Sequence, residues 1–101
     1  MLLNAYTLYD NKALVYSPPF YASAHGQAVR LVMELAQDNN TTVGRHPSDF
    51  TLYCIGHFDD ASGSLLPADV REHISDVLPL APKRHADFVG QPDLTTNGSA
   101  K

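Results

Sequence analysis

The chain has one cysteine, few basic residues and no long apolar run, and each scarcity closes off a class of protein. A lone Cys54 excludes an internal disulfide and suits a reducing compartment. Seven Lys and Arg stand against eleven Asp and Glu, a net charge of -4. Coating nucleic acid by bulk charge needs clustered basic side chains, and here only Lys83 and Arg84 are adjacent. No stretch approaches the ~20 apolar residues of a membrane helix. The start, "MLLNAYTLYD", lacks the basic and apolar layout of a secretory signal, so neither membrane nor export is predicted. None of the five histidines stands at H-x-H or H-x-x-x-H spacing, and His57 with Asp59 and Asp60 is too small a set for a closed site. No metal and no cofactor are predicted. No phosphate-binding loop, nucleotide glycine fingerprint or serine elbow is present. Cys54 sits mid-strand on the apparent core face, where cysteines are inert. The sequence therefore predicts no enzyme.

What is present reads as one small α+β domain. Leu2 to Asp10 is rich in β-favouring residues and reads as a strand, followed by a turn at Asp10-Asn11-Lys12 and a second strand from Ala13 to Tyr16. Pro18-Pro19 ends it, because proline cannot donate to a ladder. The run "AHGQAVRLVMELAQD" is the one clear helix, with Ala28, Val32, Leu35 and Ala36 on one face and Val29 and Leu31 widening it. Ser23 is placed to cap it, and Arg30 to pair with Glu34 one turn on. "TTVGRHPSD" reads as loop. Phe50 to Phe58 is the best strand, Asp59 to Gly63 a hairpin loop, and Ser64 to Leu66 a short returning strand. The segment "ADVREHISDVLPL" fits either a short helix or an extended edge. The expected architecture is a four-stranded, mainly antiparallel sheet with one principal helix, residues 1–81, followed by a polar tail or arm over residues 82–101.

One pattern recurs. Tyr6-Thr7-Leu8-Tyr9 is echoed by Phe50-Thr51-Leu52-Tyr53. The flanks do not repeat, so the echo reads as two strands of one sheet with matched faces and not as a duplication. Strand alternation puts Tyr6, Leu8, Phe50, Leu52, Cys54 and Phe58 towards the core, and Thr7, Tyr9, Thr51, Tyr53, Ile55 and His57 on the other face. Tyrosines on an open sheet can stack on unpaired bases at about 1–3 kcal/mol each. They also suit a subunit interface, where tyrosine is favoured. Such a face predicts self-association, as a homodimer or higher homo-oligomer.

The stretches "YTLYDNKA", "YSPPF", "GQAVR", "NTTVGRHPSDFTLY" and "IGHFDDASGSL" follow one another at short intervals. In that order they resemble the small non-structural protein of microviruses, the single-stranded DNA bacteriophages, of the gokushovirus type. The residues that carry the likeness include Asp10, Lys12, Ala13, Pro19, Phe20, Ala28 and Arg30. Further along they are His46, Pro47, Asp49, Phe50, Leu52, Tyr53, Gly56, Phe58, Asp59 and Asp60. The resemblance covers roughly residues 4–66.

That likeness implies a protein of the infected bacterium's cytoplasm, absent from the virion, that binds single-stranded DNA during genome replication and single-strand synthesis. It implies stacking by Tyr9 and Tyr53, and phosphate contacts from Lys12, Arg30, Arg45 and His46. The alternative is an oligomeric adaptor that recruits a phage or host replication or packaging protein without touching DNA. Salt dependence separates the two.

Overall fold

The computed structural model describes residues 1–82, so the tail expected over residues 82–101 lies, after Pro82, outside the described residues. The elements run β1 (Leu2–Asp10), β2 (Val15–Tyr16), β3 (Phe20–Ala22), α1 (His25–Ala36), α2 (Thr42–Arg45), a 3-10 turn (Pro47–Asp49), β4 (Phe50–Asp59), β5 (Ser64–Asp76) and a second 3-10 turn (Leu78–Leu80). The sheet is antiparallel in the order β2-β1-β4-β5, with β3 pairing the far stretch of β1 beside β2. The predicted α+β architecture with one main helix is what forms. β3 adds a short strand that the two prolines before it had hidden. The segment after Pro67 takes the extended alternative and lengthens the returning strand to Asp76.

Helix α1 covers one sheet face. Ala28, Val32 and Ala36, spaced one turn apart, are buried against Tyr6, Leu8, Phe50, Leu52 and Cys54. Two alanines in that stripe let the helix axis approach the strands closely. Val29 and Leu35 pack at its margin, whereas Leu31 is left 47% exposed. Val77, fully buried, closes the far end of this layer, with Leu80 and Ala81 packed beside it. Burial of a leucine such as Leu52 stabilises by about 1.5–3 kcal/mol.

Ser23 does not cap α1. Its hydroxyl and its backbone N–H both donate to Gln27 Oε1, at 2.7 and 3.0 Å, so the side chain from the first turn reaches back instead. No ion pair joins Arg30 to Glu34 among the described residues. A polar tie fixes the start of the helix to the sheet. The buried Tyr6 hydroxyl lies 2.6 Å from His25 Nδ1 and accepts from the Asn4 amide at 3.0 Å, while His25 Nε2 lies 3.7 Å from Glu72 on β5. Burial of the ring raises the Tyr6 pKa above its ordinary value, the Asn4 bond partly offsetting this.

Both hairpins close with the same turn. Leu14 N–H donates to the Asp10 carbonyl at 2.8 Å, and Gly63 N–H to the Asp59 carbonyl at 2.8 Å. The aspartate carboxylate accepts from backbone N–H groups inside each loop, Lys12 and Ala13 in one and Ala61 in the other. The Ala61 bond holds the Asp59 carboxyl below its ordinary pKa. The last loop residue is left-handed in both, Leu14 at φ 60 and Gly63 at φ 76.

The strands are not in simple alternation. Tyr6 pairs with Cys54 but Ala5 pairs with Gly56, so Ile55 is an extra residue in β4. Beyond it the faces exchange. Phe58, paired with Leu3 and 5.6 Å from the Tyr21 ring, lies on the uncovered face, and His57, paired with Asn4, goes to the helix side. Both reverse the alternation read from sequence, because one inserted residue shifts the period-two pattern by a step. At Gly56 a side chain would strike the Leu66 carbonyl and come within 3.0 Å of Pro67 Cα, so β5 crosses here because the position is glycine.

Candidate functional site

The register assembles the uncovered face row by row. Thr7 pairs with Tyr53, Leu8 with Leu52, and Tyr9 with Thr51. The two Thr-Leu-Tyr segments thus lie antiparallel about the Leu8–Leu52 pair. Their tyrosines fall diagonally across from each other, and each sits beside the other segment's threonine. β2 then brings Tyr16 next to Tyr9, and β5 brings His73 next to Tyr53.

The result is a continuous aromatic platform. The Tyr9 and Tyr16 ring centroids are 4.5 Å apart, Tyr16 and Tyr53 6.4 Å, and Tyr53 and His73 6.0 Å in an edge-to-face arrangement. The Arg71 guanidinium lies over it, 4.9 Å from the Tyr53 centroid and 5.7 Å from that of Tyr16. A cation held over an exposed ring is worth about 0.5–1 kcal/mol. Among the described residues Arg71 makes no ion pair, so its charge and outer plane remain available. Asp76 sits at the edge of the platform, 3.1 Å from His73 Nε2 and 3.5 Å from the Thr51 hydroxyl. Thr7 is 1% exposed, its hydroxyl donating to the Ser17 carbonyl at 2.8 Å, and forms a rigid floor between the rings.

Of the residues predicted from sequence, Tyr9 and Tyr53 are brought onto this platform, bridged by Tyr16. Lys12 lies in the turn joining the strands that carry Tyr9 and Tyr16, its side chain exposed. Arg30, Arg45 and His46 do not join them. Arg30 is exposed on α1, in the layer that covers the opposite face. Arg45 on α2 donates to the Asn39 carbonyl at 3.1 Å, and His46 is exposed between α2 and the following 3-10 turn. Sequence reasoning missed Arg71 and His73, and gave Tyr16 no role. The signal was there: in "VREHISD", Arg71 and His73 are two apart and alternate with Glu72 and Ile74, which lie on the helix side.

Among the described residues no group of three metal-ligating side chains converges, and no helix is long and apolar enough to cross a membrane. A half-covered antiparallel sheet, with a partly exposed row of rings beneath the Arg71 guanidinium, defines a small α+β protein with one open face. The chain belongs to the Phage ORF5 protein family, whose model matches residues 3–80, from β1 through the second 3-10 turn. Comparison with curated proteins and with solved structures finds no match.

Proposed function

We propose that this phage protein binds single-stranded DNA on the uncovered sheet face, as a microvirus (gokushovirus-type) non-structural accessory to genome replication, in the host cytoplasm and outside the virion. The observation that carries the reading is the Tyr9–Tyr16–Tyr53–His73 platform under Arg71. Unpaired bases stack on tyrosine rings and on guanidinium planes alike. A duplex offers no free base faces, and the net charge of -4 leaves too few cations to grip one by its phosphates. Arg71 and Lys12 supply the phosphate contacts beside the rings. The binding is weak, indifferent to sequence and confers position and protection on the strand, with no chemistry performed on it.

Fluorescence anisotropy with single- and double-stranded oligonucleotides at two salt concentrations tests this. Arg71→Ala is expected to weaken single-strand binding and flatten the salt slope by about 0.7, the value of one lost phosphate contact. Arg30→Ala and Arg45→Ala, in the opposite layer, are expected to matter less. Tyr53→Leu should cost about 1–3 kcal/mol of binding, and Tyr53→Phe almost nothing, because the ring is kept. If Arg71→Ala and Tyr53→Leu both bind like wild type, the face is wrong. If wild type binds no DNA, the adaptor reading takes its place, which the acidic net charge favours and for which binding to a phage or host protein would be insensitive to salt.

A further inference from the structure

The platform occupies only half of the uncovered face. The other half, beyond the Ile55 bulge, is apolar. Its rows are set by register: Leu3, Phe58 and Leu65 across β1, β4 and β5, and then Tyr21, Ala5, Gly56 and Pro67 across β3, β1, β4 and β5. Neither row contains a charged residue. A depression of about 260 Å³ opens here, lined by Ala5, Tyr21, Ile55, Gly56, His57 and Pro67. Leu65 stands on its rim, 62% exposed, and Tyr21 is 39% exposed.

We propose that this half is where two copies of the chain meet about a twofold axis. Knob and hole belong to the same patch, as a twofold contact requires: Leu65 of each copy enters the depression of the other. Superposing rows that carry no charged residue on themselves creates no like-charge contact. Four of the seven residues in the two rows are half-buried or buried, so the rows offer far less than the ~800 Å² per copy of a standard interface and the dimer is weak and reversible. The proposal does not depend on DNA binding, and its readout is mass.

Sedimentation equilibrium from roughly 1 to 200 µM brackets the micromolar dissociation constant expected of so small a contact. Wild type is expected to rise with concentration from the monomer mass of 11.0 kDa towards twice that value. Leu65→Asp should remain monomeric throughout, and Tyr21→Lys, on the neighbouring strand, should act alike. Leu14→Asp, at a still more exposed position in the turn at the far end of the sheet, should associate like wild type. Leu65 projects into solvent, so an unchanged melting curve is expected for Leu65→Asp and establishes that it is folded, whereas Tyr21→Lys gives up the ring contact with Phe58 and should melt slightly lower while staying folded. A wild-type protein that stays at monomer mass across the range overturns the proposal, as does a folded Leu65→Asp that associates normally.

Discussion

The two Thr-Leu-Tyr segments are neighbours in space, identical in letters and different in circumstance. In β1 the threonine is buried and bonded to Ser17, and the tyrosine lies against one ring, Tyr16. In β4 the threonine is half-exposed at 3.5 Å from Asp76, and the tyrosine meets Tyr16, His73 and Arg71. The difference comes from what lies outside each strand. β1 is flanked by the tight Ser17-Pro18-Pro19 crossing, which seals its edge. β4 is flanked by the long, open β5, which delivers polar side chains over its rings. The same tripeptide therefore builds floor on one side and contact surface on the other.

The sharpest break of the comparison lies at its centre. Leu52 is fully buried, whereas Leu8 is 6% exposed and borders surface grooves beside Ser17 and Leu35. Leu52→Ala is expected to cost about 3–5 kcal/mol and Leu8→Ala about 2–3, since a site open on one side relaxes more easily around the deletion. Urea denaturation of both variants measures the gap, and equal costs would mean that the two positions are packed alike. The threonines come next. Thr7→Val removes the donor to the part-buried Ser17 carbonyl and should cost about 1–2 kcal/mol. Thr51→Val, losing one long contact at the surface, should fall within about 0.5 kcal/mol of wild type by the same measurement.

The smallest effect separates the hairpin turns. Leu14 adopts at φ 60 the conformation that Gly63 adopts at φ 76. Leu14→Gly relieves the strain but frees the unfolded chain, for a net gain of about 0.5 kcal/mol, while Gly63→Ala should lose about 1 kcal/mol. Melting temperatures moving in opposite directions would confirm that the left-handed residue is strained in one turn and unstrained in the other.

Much of this was legible in the sequence, for local reasons. The stripe of Ala28, Val32 and Ala36 announces the helix, and the Asp10 and Asp59 turns follow from carboxylates that bond nearby backbone. Leu8, Phe50 and Leu52 as core, and Tyr9 and Tyr53 as a shared outer face, follow from strand alternation. What was not legible depends on the partner strand. Nothing in "YCIGHF" signals that Ile55 is an extra residue, since a bulge is defined by the count on the opposite strand. The grouping of Arg71 with Tyr53 needs β5 to be extended and to break step with β4 between Pro67 and Glu72, and its low apolar content gives no sign of that. Arg30, Arg45 and His46 were chosen by charge and resemblance, which are blind to the side of the sheet a residue ends on.

The Ile55 bulge gives chain length a meaning in β4 that it lacks in the loops. A residue gained or lost in the Asp59–Gly63 turn alters only a turn. Loss of Ile55 would leave the pairs Tyr6–Cys54, Ala5–Gly56, Asn4–His57 and Leu3–Phe58 in unbroken step, removing the bulge and keeping every side chain on its present face. The bulge is therefore a point in this strand where one codon can be lost with inside and outside preserved, whereas a codon lost between Phe50 and Cys54 shifts the period-two pattern by a step.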